Sequence, residues 1–187
     1  MKRISHLACT IALIMTAGAA HASGYIGLEA GSSTPEEDSF GKGSEFRLTG
    51  AKQVNENFAF EASYTSLGKF DADKETLAFI SAEIGETVSG ASVKINGIEL
   101  GGVLIAPLNE KFALYGRLGL YLWNSEVSVT VDGFGTGSDK DSGNDPFFGI
   151  GAMITPTEKV SLKFGYSKYQ AFDADTDVIS GGLNFNF

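Results

Sequence analysis

Seven charged side chains stand singly in stretches otherwise built of apolar and small residues: Glu29, Glu45, Arg47, Glu61, Glu99, Arg117 and Lys163. Four carboxylates against three cations, each isolated along the chain, suit buried ion pairs. Catalytic chemistry is narrowed further because both histidines (His6, His21) and the single cysteine (Cys9) fall within the first 22 residues. Those residues read as an export signal. Lys2 and Arg3 form a basic start, Leu7 to Ala20 an uncharged apolar run, and Ala20-His21-Ala22 a small-x-small cleavage site. The division expected is therefore 1–22 as signal peptide and 23–187 as one domain. That domain has no histidine or cysteine, which removes thiol nucleophiles, disulfides, imidazole metal sites and every Ser-His or Cys-His arrangement. The expectation is no enzyme, no cofactor and no metal.

Two further motifs carry no chemistry on inspection. Asp139-Lys140-Asp141-Ser142-Gly143-Asn144-Asp145 resembles a calcium loop but lacks the bidentate Glu of the EF-hand pattern, and reads better as a solvated acidic loop. Gly133-Phe134-Gly135-Thr136-Gly137 is glycine-rich without a following helix or a Gly-Lys-Ser/Thr, so it is no phosphate loop. Beyond residue 22 the chain has 12 basic and 23 acidic residues, a net charge of −11 that argues against nucleic acid as a partner.

The elements that must position the seven charges alternate with period two. Asn57 to Asp73 returns 102 residues later as Lys159 to Asp175. Both copies follow a Glu, and both end in Phe-Asp-Ala-Asp. In the first, Phe58, Phe60, Ala62 and Tyr64 share a face; in the second, Val160, Leu162, Phe164 and Tyr166 do. Extending the pattern predicts eight strands, at about 24–32, 44–53, 57–67, 95–107, 111–123, 146–155, 159–169 and 177–187. The connections alternate between long segments (33–43, 68–94, 124–145, 170–176) and three-residue turns (54–56, 108–110, 156–158). An up-and-down meander with its short turns at one end follows. The expected fold is all-β, an eight-stranded antiparallel up-and-down transmembrane β-barrel.

Residue size decides which side is inside. In the fifth strand Phe112, Leu114, Leu118, Leu120 and Leu122 oppose Ala113, Tyr115, Arg117, Gly119 and Tyr121, and in the last Ile179, Leu183, Phe185 and Phe187 oppose Ser180, Gly182, Asn184 and Asn186. Small residues mixed with a few long charged ones suit a narrow eight-stranded interior, so the large apolar faces point to lipid. A closed sheet is also one of two ways a backbone can cross a bilayer with its polar groups paired. Tyr64, Tyr166 and Tyr169 near the long connections, with Phe58, Phe112, Phe185 and Phe187 near the short turns, are expected to form two interfacial girdles. Alternation turns Glu29, Glu45, Glu61, Glu99, Arg47, Arg117 and Lys163 inward. There they should form a charge network, with Glu61 to Arg117 as its central link.

The pieces GYIGLEAG (24–31), FAFEASY (58–64), ALYGRLGLYLW (113–123), FFGIGAMI (147–154), VSLKFGYSKY (160–169) and GGLNFNF (181–187) resemble, in order, the transmembrane barrel domain of OmpA-like outer membrane proteins. The resemblance implies a barrel in the Gram-negative outer membrane, exported by the N-terminal signal, with both termini in the periplasm. It implies that Leu183, Phe185 and Phe187 form the C-terminal signal read by the barrel-assembly machinery. The chain stops at Phe187, so the peptidoglycan-binding domain of the family's longer members is not carried over.

The long connections hold ten of the eleven net negative charges, at −2, −2, −4 and −2 in chain order. An acidic outer face would meet outer membrane lipid and lipopolysaccharide, where divalent cations already bridge phosphates. The function expected is a surface protein with a structural, envelope or adhesion role through acidic extracellular loops, its lumen plugged by side chains. Two other readings are a small-solute pore and, from another class, a soluble or periplasmic barrel that binds an apolar ligand.

Overall fold

The computed structural model describes residues 23–37, 39–171 and 174–187. The expected signal peptide, 1–22, lies outside them, as do Phe172 and Asp173 of the second Phe-Asp-Ala-Asp. Eight strands follow in order: β1 (Gly24–Pro35), β2 (Gly43–Asn55), β3 (Phe58–Asp71), β4 (Val88–Pro107), β5 (Phe112–Val131), β6 (Gly135–Thr157), β7 (Val160–Ala171) and β8 (Ala174–Asn186). One helix, α1 (Lys74–Ile84), lies between β3 and β4. Each strand pairs antiparallel with the next, and β8 pairs with β1, which closes the barrel. The expected meander is therefore the observed one. No described helix is long and apolar enough to cross a membrane; the strands are the elements sized for that.

The short turns sit at one end, and asparagine side chains close two of them. Asn55 Oδ1 accepts from the Asn57 amide at 2.9 Å, and Asn109 Oδ1 accepts from the amides of Lys111 and Phe112 at 2.9 and 3.0 Å. These are the local side-chain bonds for which Asn is favoured in turns. The other end is more ordered than the sequence suggested. The segment 124–145, expected as a loop, is instead the upper part of a long hairpin in which Glu126 faces Lys140 and Val131 faces Gly135. Val127, Val129 and Val131 alternate with Ser128 and Thr130, a strand pattern hidden by the surrounding Ser, Gly and Asp. The calcium-like run 139–145 is thus part of β6, its carboxylates spread along a pleated strand rather than wrapped around a point. Asp145 instead accepts from Trp123 Nε1 at 2.6 Å. β6 meets β7 only from Phe147 onward, so residues 135–145 rise past the barrel rim.

Helix α1 was also missed, although its ends are marked in the sequence. Asp73 caps the N-terminus by accepting from the Thr76 amide at 2.8 Å, and Gly85 ends it in the left-handed region at φ 75°. The first Phe-Asp-Ala-Asp therefore ends in a helix cap. The Thr76 amide holds the Asp73 carboxyl below the usual aspartate range. A depressed folded-state pKa gives stability that is complete above the unfolded value of about 3.9 and lost as pH falls through the folded value. Amide exchange at 77–80 should accordingly lose protection on acidification below about pH 4. Asp73→Asn, which still caps but does not titrate here, should remove that dependence while keeping protection near neutrality. Equal pH dependence in both proteins would count against the cap.

Gly68 sets the top of β3. Ser66 faces Asn96 and Gly68 faces Ile95, leaving Leu67 as an extra residue in a bulge. Gly68 has φ 95°, and a Cβ there would lie 2.7 Å from the Ser44 backbone, so only glycine fits. After the bulge Phe70 points inward and Lys69 outward.

Candidate functional site: the barrel interior

Inward positions carry the charge. Glu29, Glu45, Glu61, Glu99, Arg47, Arg117 and Lys163 are each 6% exposed or less. Their neighbours on the inner wall are small: a Cβ on Gly182 would meet Glu29, and one on Gly149 would meet Arg117 at 3.0 Å. The small residues leave the volume that the long side chains occupy.

Arg47 on β2 is the hub. Its Nη1 lies 2.9 Å from Glu29, its Nη2 3.0 Å from Glu45 and its Nε 3.3 Å from Glu99. It also donates to Tyr169 Oη at 2.5 Å, and that hydroxyl donates to Glu99 at 2.8 Å. Glu99 takes a further bond from Thr65 Oγ1 and pairs with Arg117 Nη2. A second group forms around Lys163, whose Nζ is 3.2 Å from Glu61 and 3.3 Å from Glu29. Tyr25 Oη donates to Glu61 at 2.5 Å. Glu29 joins the two groups. All seven residues are therefore brought together.

The central link differs from the one expected. Arg117 Nε approaches Glu61 only to 3.8 Å, while its Nη2 pairs with Glu99 on the adjacent strand. Glu61 on β3 and Lys163 on β7, four strands apart, pair directly across the lumen. In so narrow a barrel a lysine side chain spans much of the interior. Tyr169 is a second correction. It was assigned to the outer girdle, but it shares the face of Lys163 rather than of Tyr166 and is fully buried. Parity with Lys163 was the available signal, and the same parity with Glu29 would have found Tyr25.

Apolar layers lie on both sides of the charges. Toward the long connections Leu67, Phe70, Ile95, Tyr121, Trp123, Phe147, Tyr169 and Val178 pack together, and Arg117 lies 4.7 Å from the Phe147 ring centroid. Toward the short turns Tyr25, Ala59, Val103 and Tyr115 form a smaller cluster, with Lys163 Nζ 4.8 Å from the Tyr115 centroid. Below this cluster a cavity of about 490 Å³ opens among the turns, with Tyr25 and Met153 in its lining. Among the described residues no cluster of His, Cys, Asp and Glu has metal-site geometry.

The outer wall is the reverse. Leu100, Leu118, Leu120, Phe148, Ile150, Phe164 and Ile179 are all at least half exposed, and Leu183, Phe185 and Phe187 face the same way at 40, 49 and 62%. A soluble carrier would bury such residues around its ligand; here they form the surface. The outer membrane protein beta-barrel domain matches residues 5–187. The chain belongs to this outer membrane protein beta-barrel family. Curated relatives include outer membrane protein A of Shigella flexneri, 27% identical over 147 residues, and that of Salmonella typhi, 28% identical over 147 residues. Both alignments cover 74% of this chain and 38% of the relative, so the chain spans about two fifths of the length of those proteins.

Similar solved barrels include the attachment invasion locus protein Ail of Yersinia pestis, with TM-score 0.58 and 18% identity over 89% of this chain and 98% of that one. Neisserial surface protein A gives TM-score 0.64 and 16% identity over 89% and 100%. The N-terminal barrel of Pseudomonas aeruginosa OprF gives 0.52 and 12% over 89% and 100%. At these identities the likeness is one of fold. Together the family and its curated relatives place this beta-barrel domain among Gram-negative outer membrane proteins.

Proposed function

We propose that the chain is a non-enzymatic surface protein of the outer membrane. Its role, in envelope structure or adhesion, is carried out at the end where β4, α1 and the β5–β6 hairpin extend past the barrel, and its interior is closed to solutes. The single observation that carries the closed interior is the burial of seven mutually paired charges between two apolar layers. Charged side chains that have replaced water with one another leave no hydrated path, and separating them costs several kcal/mol. The acidic long connections belong on the cell exterior in this reading. Leu183, Phe185 and Phe187, outward and terminal, are what the barrel-assembly machinery would read. The surrounding lipid and lipopolysaccharide are its immediate partners.

Planar-bilayer recording tests the closed interior against the small-solute pore. The expected outcome is no large, steady conductance from the refolded protein at moderate voltage. Stable openings comparable to those of a wide porin would overturn it.

A further inference from the structure

The lipid-facing wall ends at Tyr64, Ile98 and Leu122, and the next outward row, Ser66, Asn96, Asn124 and Ser142, is polar. From Ile98 up to Val88, where β4 begins, is about ten residues, about 33 Å along a strand and about 25 Å along the barrel axis at the usual tilt. Helix α1 joins β4 at that height, beyond the reach of the hydrocarbon.

Large apolar side chains are exposed there all the same. Phe134 at the hairpin tip is 78% exposed, the highest value for a large hydrophobic side chain among the described residues; Phe79 on α1 is 70% exposed and Ile84 at its end 48%. Lipid accounts for such exposure on the wall and for none of it here. One exposed apolar residue is ordinary, but these three are gathered at one end. The Val88 amide donates to Ser81 Oγ at 2.9 Å, the Asp132 amide to the Thr87 carbonyl at 2.9 Å, and Val88 faces Val131. The C-terminal half of α1 is thereby tied to the hairpin tip.

The helix has one face turned to the protein and one left over. Thr76, Leu77, Ile80 and Ser81 are half-buried; Glu75, Ala78, Phe79 and Ala82, at i, i+3, i+4 and i+7, are exposed on the opposite side. Alanines beside Phe79 let another helix approach closely. The surroundings are acidic. Glu75, Glu83, Glu86 and Asp132 are exposed, none has an ion-pair partner among the described residues, and Lys74 is the one cation in 73–86. An apolar centre with a carboxylate rim complements a helix whose apolar stripe is edged by lysine and arginine. A polyanion would be repelled.

We propose that the outer face of α1, with Phe134 of the hairpin tip, binds a cationic amphipathic helix of another molecule. Phe79, Ile84 and Phe134 take its apolar stripe, and Glu75, Glu83, Glu86 and Asp132 take its basic side chains. This deepens the surface role proposed above and rests on the long connections facing the cell exterior.

The test uses the full chain refolded in phosphatidylcholine nanodiscs and a fluorescent peptide of leucine and lysine, about four helical turns long, with its leucines at helical spacing. Binding is read as the excess over empty nanodiscs. Phe79→Ser and Phe134→Ser should each weaken it about tenfold, as the loss of an aromatic anchor does, and both should fold because both side chains are exposed. Glu83→Gln with Glu86→Gln should weaken it about threefold and flatten its dependence on salt. Glu56→Gln, Glu110→Gln and Glu158→Gln, at the short-turn end, should change nothing. Equal binding to empty nanodiscs, unchanged binding by both Phe variants, or equal binding of an isomeric peptide whose leucines and lysines alternate would overturn the proposal. Protease added to intact cells separates the two failures. Cleavage at the hairpin tip, 132–134, with no excess binding overturns the helix site alone. Cleavage at 54–56, 108–110 or 156–158 places α1 in the periplasm and overturns the surface reading with it.

Discussion

Replacing Arg47 by alanine should lower the folding stability of the barrel by about 3–5 kcal/mol, the cost of leaving buried charges without their partner. Arg47 contacts Glu29, Glu45 and Glu99 at once, and these carboxylates are not equally protected against its loss. Glu29 keeps Lys163, and Glu99 keeps Arg117. Glu45 has no other cation within ion-pair distance among the described residues, and its oxygens have no hydrogen-bond donor there. The stranded group is therefore Glu45. Arg47→Ala combined with Glu45→Gln should recover a substantial part of the loss, which a general packing defect would not permit. Arg117→Ala should be milder, because Glu61 retains Lys163 and Tyr25, and Glu99 retains Arg47 and Tyr169. Urea midpoints in lipid vesicles give the comparison. A single-variant loss below about 1 kcal/mol, the size of an exposed pair, or a double variant no better than Arg47→Ala, would remove Arg47 from its place as hub.

That ordering of Arg47 above Arg117 could not be read from the sequence. The inward face could be, because strand parity is a local property: once Phe58, Phe60 and Tyr64 turn outward, Glu61 has no choice. Which charges meet across the lumen depends instead on barrel diameter, strand stagger and side-chain reach, none of which a single strand encodes. Hence neither β3 nor β7 alone shows that Glu61 and Lys163 meet across the lumen. Tyr169 shows a different limit: an aromatic near a strand end fits a girdle by composition, while its parity with Lys163 turns it inward. The extramembrane end was legible in principle. Asp73 with Gly85 brackets α1, and Asp132-Gly133 is a hairpin turn signal between Val-rich and Gly-rich arms. Its polar composition hid both, because outside the bilayer a strand need not carry one uninterrupted apolar face.

The outer wall gives a prediction whose size depends on depth. On β5 the outward side chains run Phe112, Leu114, Gly116, Leu118, Leu120, Leu122 and then Asn124, so the apolar span is centred near residue 117. Leu118, 64% exposed and next to that centre, is the position at which arginine should cost most, about 2–4 kcal/mol of membrane-folded stability. Leu120 faces Leu100 on one side and Pro146 on the other, one outward step higher, and Leu120→Arg should cost somewhat less. Leu122→Arg, adjacent to the polar row, should fall to about 0–1 kcal/mol because the guanidinium can reach the headgroups. Asn124→Arg should be close to neutral. The physical content lies in the decline along 118, 120, 122 and 124, since a packing role would follow neighbours rather than height. Refolding midpoints of the four variants in one lipid measure it. Equal losses at Leu118 and Leu122, or no loss at Leu118, would mean that this face of β5 does not lie against the hydrocarbon.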